Sequence, residues 1–502
     1  MFIAERRVDR NRNPFYNSKV ASGETNEKGK RNTMSVSPRE NKMGAMPVAK
    51  LVVTMSLPMI LSMLVQALYN VVDSMYVSRL SEGALTAVSL CFPAQNLMIG
   101  VSTGIAVGVN ALLSRALGAD DRKRANQVAE NGVFLALIGY ILFLLFGLFG
   151  GRVLLAAQTS VGSIIQDGTD YLRVCCCLSF GLFGQIMFER LMQSTGRTKY
   201  TLYTQGTGAV INILLDPVFI FSPDEFFCGV FGMGVKGAAV ATVIGQIVAF
   251  VLAVILNRLK NEDIRLRLRT FRPDGFLIGR IFGIGIPSVI MMAIGSFMTF
   301  SMNKILIAYT TGKETAATVF GVYFKLNSFV FMPIFGLNNG VIPIIAFNYG
   351  AKNRLRMMKA VKVALSIALG VMALGTLLFL VIPDRLLSIF NADAAMTAIG
   401  VPALRIIGST FPIAGVCIVL GSVFQALGFS TYSMWVSMAR QLFVLIPAAW
   451  ALAAWGQSIG NDNLVWLSFV FAEAVSLIAT LLLFRRMYGK VIRPLPEGSK
   501  VL

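Results

Sequence analysis

Gly104–Arg124, GIAVGVNALLSRALGADDRKR, and Gly336–Arg356, GLNNGVIPIIAFNYGAKNRLR, are one pattern written twice. Gly104 and Gly336, Gly108 and Gly340, Gly118 and Gly350, and Ala119 and Ala351 all stand at one offset, 336 − 104 = 232. The register continues outward. DYLR from Asp170 faces PALR from Pro402, Gln193–Gly196 faces Gln425–Gly428, and Tyr200 faces Tyr432 at 432 − 200 = 232. Pro58 and Pro287 open the two halves at a slightly different offset, as an indel in the first loop would produce. A fixed offset held over about a hundred residues marks an internal repeat.

The composition says what is repeated. Of 502 residues 55% are hydrophobic and 14% charged, and the mean hydropathy is +0.69, which excludes a soluble globule. Apolar runs of about 20 residues, each long enough to cross a bilayer as a helix, recur along the chain. Twelve are read: 51–74, 86–113, 127–152, 164–188, 198–222, 236–257, 277–304, 315–346, 360–383, 396–424, 432–455 and 463–486. Six spans per half is an even number, so both halves enter the membrane in the same sense. The expected fold is therefore an all-α integral membrane protein, twelve transmembrane helices in two six-helix lobes related by a parallel repeat. The division is a disordered basic tail over 1–45, an N-lobe over 46–257, a cytoplasmic linker over 258–276, a C-lobe over 277–488 and a cytoplasmic tail over 489–502. The alternating RLRLR of the linker suggests an amphipathic stretch on the membrane surface. Within the tail, Met34 or Met43 would serve as a start without functional loss.

The net charge of +20 does not point to nucleic acid. Arginine and lysine cluster after the second, fourth, sixth and eighth spans, while the alternate loops hold few. That is the positive-inside pattern, and it puts the protein in the cell membrane as a multi-pass protein with both termini cytoplasmic. No histidine occurs, which excludes His-based triads, His-ligated metals and imidazole proton shuttles. The six cysteines match no metal spacing, and the triplet Cys175–Cys177 reads as packing or lipid-facing filler.

Charges inside apolar spans carry the functional signal, because an ionised carboxylate at mid-bilayer costs about 2.5–3.5 kcal/mol on insertion scales. Asp73 stands in LYNVVDSMYVSRL at the end of the first span, and Asp216 in the fifth. Asn212 lies four residues before Asp216 and shares its helix face, while Pro217 disturbs the helix directly after it. Thr242 in the sixth span is a possible fourth oxygen ligand. Carboxylate, amide and hydroxyl oxygens suit a hard monovalent cation, and a pair of carboxylates equally suits a proton. The second half lacks these acids. Three further charges fall within spans: Lys325, expected to face a cavity or an acid, and Arg440 with Glu473, expected to neutralise each other. Tyr69 and Asn70, beside Asp73, are further cavity candidates. Glu189, adjacent to Arg190 at a helix end, reads as a surface pair. Met and Phe, 24 and 36 in number, would line a site for flat apolar cations.

Pro58 followed by Asp73, the NxxxDP of Asn212–Pro217, the GAAVAT of Gly237–Thr242 and the paired loops GADDR at Gly118 and GAKNR at Gly350 resemble the multidrug and toxic compound extrusion (MATE) family. The likeness runs from about residue 45 to 490. It implies two six-helix lobes around a central cavity and drug export coupled to Na⁺ or H⁺ entry. By position it implies that Asp73 is the coupling carboxylate, that Asn212, Asp216 and Thr242 complete its cation site, and that Pro58 marks a bend in the first helix. Some members carry acids in the seventh and tenth helices. This sequence has none there, which places it nearer the bacterial branch that relies on the N-lobe.

The expectation is a secondary active exporter of amphipathic, cationic compounds in exchange for H⁺ or Na⁺, working by alternating access as a monomer in the lipid bilayer. It is not an enzyme, takes no cofactor and has no Walker-type phosphate loop. A lipid-linked oligosaccharide flippase of the same superfamily is the alternative, disfavoured by the acidic first-half cavity. A membrane-embedded transferase would want histidine or a DxD-type loop, and the sequence offers neither.

Overall fold

The computed structural model describes residues 41–224, 229–267, 269, 271–310, 313–390 and 392–497. Among them there is no strand; the chain runs as helices joined by short turns. In chain order these are α1 (Val48–Ser78), α2 (Glu82–Gly118), α3 (Arg122–Ala156), α4 (Gly162–Cys177 and Phe180–Ser194), α5 (Lys199–Ile220) and α6 (Val235–Lys260). The second half follows with α7 (Gly275–Tyr309), α8 (Lys313–Gly350), α9 (Arg354–Val381), α10 (Ala394–Gly408 and Phe411–Ala426), α11 (Ser430–Ile459) and α12 (Asp462–Ile492). Nine of these are single helices long and apolar enough to span a membrane. α4 and α10 are bent pairs, and α5, 22 residues long and carrying Asn212 and Asp216, is the remaining helix. The protein is an all-α integral membrane protein of twelve helices in two six-helix lobes.

Two expected spans, 164–188 and 396–424, are not straight. α4 bends by 44° and α10 by 46°, at equivalent places in the repeat. At each break a hydroxyl takes the carbonyl three residues back: Ser179 Oγ donates to Cys176 O at 2.7 Å, and Thr410 Oγ1 to Ile407 O at 2.7 Å. Such back-bonding ends one helical segment and lets the next start at an angle. The repeat is visible even in backbone torsions. Asp120 and Lys352 both adopt positive φ, 57° and 55°, and Gly196 and Gly428 adopt 82° and 85°.

The repeated glycines turn out to be the seam between the lobes. A Cβ at Gly118 of α2 would overlap the carbonyl oxygen of Phe347 in α8, and one at Gly350 of α8 would overlap the carbonyl oxygen of Arg115 in α2. Gly104 faces Val289 of α7, and Gly336 faces Ile60 of α1, where an added Cβ would stand 2.5 Å from the nearest atom in either case. Helices in lipid gain nothing from hydrophobic burial against each other, so close backbone packing through small residues supplies the attraction. All these contacts lie in the half of the bundle that ends in the basic loops. There the lobes also exchange helix starts. Leu51, Val52 and Met55 of α1 pack in the core of the second half, while Leu277, Ile281 and Ile284 of α7 pack in that of the first.

One expectation about the flanking segments needs correction. The tail expected over 1–45 ends sooner, since Lys42–Ala45 forms a short helix capped by Asn41 Oδ1 on Met43 N at 3.0 Å. Met43 is fully buried, and Arg356 Nη2 donates to the carbonyls of Met43 at 3.2 Å and Met46 at 2.7 Å, so this segment is part of the fold. Burial next to Arg197 and Lys199 pushes the Lys42 ammonium below its ordinary range. Residues 1–40, including Met34, lie outside the described residues. The linker lies along α3. Its main-chain N–H groups at Arg265, Arg267 and Asp274 donate to Asn126, Glu130 and Asn131 of α3 at 2.9, 2.8 and 3.0 Å. Ile264 and Leu266 turn toward the first core.

Alanine at Gly118 is expected to destabilise the protein by about 1–3 kcal/mol through overpacking against backbone. At Gly279, an exposed helical glycine of α7 with nothing near its Cβ position, alanine should add about 0.5–1 kcal/mol. Thermal unfolding of the detergent-solubilised variants measures both signs.

Candidate functional site

α5 stands against α1 and α6, and its backbone meets α6 where Gly208 faces Gly245. That approach brings three polar side chains together. Asn212 Nδ2 donates to Asp216 Oδ1 one turn on, at 3.2 Å, and to Thr242 Oγ1 of α6, also at 3.2 Å. Asn212 and Asp216 are 3% and 0% exposed. From α1, Asp73 comes within electrostatic reach of Asp216, and Tyr69 within reach of both acids. The amide spends its donors on the cluster. Three acceptor oxygens, Asp73 Oδ1, Asn212 Oδ1 and Asp216 Oδ2, are enclosed and have no hydrogen-bond partner among the described residues. Such a set costs free energy until something positive meets it. Asn70 is exposed on α1 and stands outside this group. Pro58 lies inside α1, which continues as helix past it; its missing N–H leaves the turn before it one hydrogen bond short.

Beside the cluster is a polar cavity of about 140 Å³, with Gln66, Tyr69, Gln185, Glu189, Asn212 and Thr242 on its wall. Glu189 is not a surface residue. It is 2% exposed, with Oε1 accepting from Gln185 Nε2 at 3.0 Å and Thr204 Oγ1 at 2.7 Å, and Oε2 accepting from Gln205 Nε2 at 2.8 Å. Nor does it form a surface pair with its neighbour. Arg190 is also buried and lines the same cavity, with Nη1 donating to Gln193 Oε1 and, across the lobes, to Asn339 Oδ1 of α8, both at 2.9 Å. Adjacent residues on a helix diverge by about 100°, so the two side chains take different hydrogen-bond partners. Gln185 and Gln193, one turn on either side, were the signal that the face was buried and polar.

The second half holds a larger cavity, about 820 Å³, lined mainly by α7, α8, α10, α11 and α12. Arg440 Nη1 donates to Glu473 Oε1 at 3.0 Å on its wall, as their opposite charges on neighbouring helices suggested. Lys325 differs from expectation. It is exposed, its ammonium lies 5.8 Å from the centre of the Phe390 ring, and it faces neither cavity. Phe390 precedes the turn into α10, a contact that no spacing in the sequence announces.

A fold of two related six-helix lobes, with buried acids beside a central cavity, defines a membrane transporter rather than an enzyme. A profile of the MatE family matches residues 58–218 and again 287–450, one copy per half, and the chain belongs to this family. Among similar proteins is the multidrug export protein MepA of Staphylococcus saprophyticus, 24% identical over 429 residues, or 85% of this chain and 91% of that one. MepA of Staphylococcus aureus strain N315 is 25% identical, covering 87% and 93%. A crystal structure of a MATE protein in complex with MaL6 superposes with a TM-score of 0.84 at 23% identity, over 91% of this chain and all of the other. An outward-facing structure of a multidrug resistance MATE transporter gives 0.83 at 23% identity, over 91% and 99%.

A double-mutant cycle on Arg190→Met and Asn339→Ala should return a coupling of about 1.5–3 kcal/mol, that of a buried charge-assisted hydrogen bond. The Arg197–Asp263 pair at 3.3 Å, more exposed, should give under about 1 kcal/mol. Denaturation of the four proteins in each cycle provides the numbers.

Proposed function

We propose that the protein is a multidrug exporter that exchanges amphipathic, cationic compounds for H⁺ or Na⁺ by alternating access, acting as a monomer. One observation carries the reading: Asn212 holds Asp216 and Thr242 in place while three enclosed acceptor oxygens around them, one from Asp73, stay unpartnered. A proton or Na⁺ among Asp73, Asn212, Asp216 and Thr242 is shared by the two carboxylates and cancels one of their two charges in low dielectric. The coupling ion is cargo of the cycle, and the drug is its counter-cargo. The relatives named multidrug export protein support the same assignment.

The basic end is the cytoplasmic one, with both termini there, following the charge asymmetry of the loops. The N-lobe then spans 46–257, the linker 258–276 and the C-lobe 277–488. The close contact of the lobes at this end through the repeated glycines supports a form of the cycle that is shut toward the cytoplasm. Entry of an ion removes repulsion between Asp73 on α1 and Asp216 on α5. α1 then repacks, with Pro58 as its weak point, since the helix lacks a hydrogen bond there. The ion and the drug gain different affinities for the two states in this way, which coupling requires.

Efflux of rhodamine 6G from everted or whole-cell preparations tests this, with the Na⁺ and H⁺ gradients collapsed one at a time. Wild-type export should stop with one gradient only, and Asp73→Asn and Asp216→Asn should each lower it at least about tenfold, the effect of about 1.4 kcal/mol or more on coupling. Unchanged export by both variants sinks the ion-site assignment.

A further inference from the structure

We propose that the 820 Å³ cavity of the second half binds aromatic amphiphiles bearing a carboxylate, and that Arg440 receives that carboxylate. The proposal rests on the export reading above and widens its cargo from cationic amphiphiles to ones that bear a carboxylate, taken up at a cavity separate from the ion site.

Arg440 owes its position to a local irregularity. Pro447 has no N–H to offer the Phe443 carbonyl, and the turn before it, Ala439–Leu445, widens into a π-helix. π-turns inside α-helices redirect side chains and recur at functional sites. Here the widened turn carries both Arg440 and Gln441, and both face the cavity. The equivalent helix of the first half, α5, is regular throughout.

A guanidinium has five N–H donors, and Glu473 takes one. A quarter of the Arg440 side chain is exposed on the cavity wall, and its guanidinium makes no other hydrogen bond among the described residues. Glu473 is 9% exposed and is the positioning residue. Its Oε1 accepts from the guanidinium and offsets its charge, while its Oε2 is enclosed without a hydrogen-bond partner among the described residues. The other charged side chain on the wall is Arg190, so two arginines face one glutamate and the cavity is net positive. This is opposite in sign to the ion site, where two aspartates meet. A carboxylate can dock in the fork with two parallel hydrogen bonds, a geometry specific to arginine. Met291, Met292, Met332, Phe331 and Phe335 supply the apolar, adaptable surface for the rest of the ligand. The volume is in the range that encloses drug-sized molecules.

The competing explanation is a purely structural clasp between α11 and α12, and it predicts no preference for a ligand's charge. The test uses the full chain purified in detergent and N-dansyl-phenylalanine against its methyl ester, which differ by one charge. Binding is read by dansyl fluorescence. The wild type should prefer the acid by about tenfold or more. In the double variant Arg440→Gln with Glu473→Gln, which leaves no lone buried charge, the preference should vanish while the ester binds as before. Arg440→Lys keeps the ion pair but loses the fork, and it should cut the preference about threefold or more. It decides the matter should the double variant not fold. Equal binding of acid and ester by wild type, or an undiminished preference in the variants, overturns the proposal. Rhodamine 6G export with no acid preference defeats this site alone. Acid preference without export of any dye defeats the export reading and leaves the binding site standing. Failure to bind either probe and to export the dye defeats both.

Discussion

Backbone-to-backbone contact at the seam is the constraint from which the rest follows. In lipid two helices have no hydrophobic reason to associate, so the lobes are held where their main chains come within touching distance. Gly118 against Phe347 and Gly350 against Arg115 set that distance, and a methyl group at either position would lie inside a carbonyl oxygen. Ser56 and Leu337, and Arg190 and Asn339, then make polar contacts across the same seam, because the glycines have already placed them. The polar cavity of the first half and the larger cavity of the second share Arg190 and Asn339 as a common wall.

The two halves solve the problem of buried charge differently. The first keeps acceptor oxygens enclosed around Asn212 and leaves the positive partner to come from outside. The second has the positive partner built in. By the repeat offset Arg440 falls on the place of Gly208, and Glu473 on that of Ala241, next to Thr242. One pair of helices thus carries unpartnered acceptor oxygens, and its counterpart carries a tethered guanidinium. A buried ion pair is not itself a strong stabiliser, since desolvation takes back most of the Coulomb energy. Its value lies in presenting a fixed guanidinium to a cavity without a net charge to bury.

Much of this was legible before any coordinates. A single offset of 232 predicted two lobes, and even the positive-φ turns at Asp120 and Lys352 obey it. Asn212 and Asp216 were readable because one helical turn separates them on an apolar helix, where polar residues are rare. Other features were not readable, for identifiable reasons. Glu189 looked like an exposed partner of Arg190 because adjacency in sequence suggests a pair, whereas helix geometry aims them at different partners. The bends of α4 and α10 coincide with hydroxyl groups that back-bond at the break, Ser179 in one and Ser409 with Thr410 in the other, which apolar periodicity does not register. RLRLR read as an amphipathic stretch on the membrane surface, because the side-chain acceptors on α3 that hold its backbone leave no mark in its own sequence. Lys325 met an aromatic ring brought close by chain far away in sequence.

The exchange of helix starts between the cores bears on the order in which the protein can be made. Leu51, Val52 and Met55 belong to the second core, so the first segment to leave the ribosome waits for partners such as Val341 and Ile345, nearly three hundred residues later. The first core, in turn, is not closed until Leu277 and Ile281 have been synthesised beyond the linker. Neither half is a finished folding unit at the moment its last helix is complete. The lobes are therefore repeated in pattern but not independent in assembly. A chain severed at the linker would yield two fragments, each still holding a piece of the other's interior.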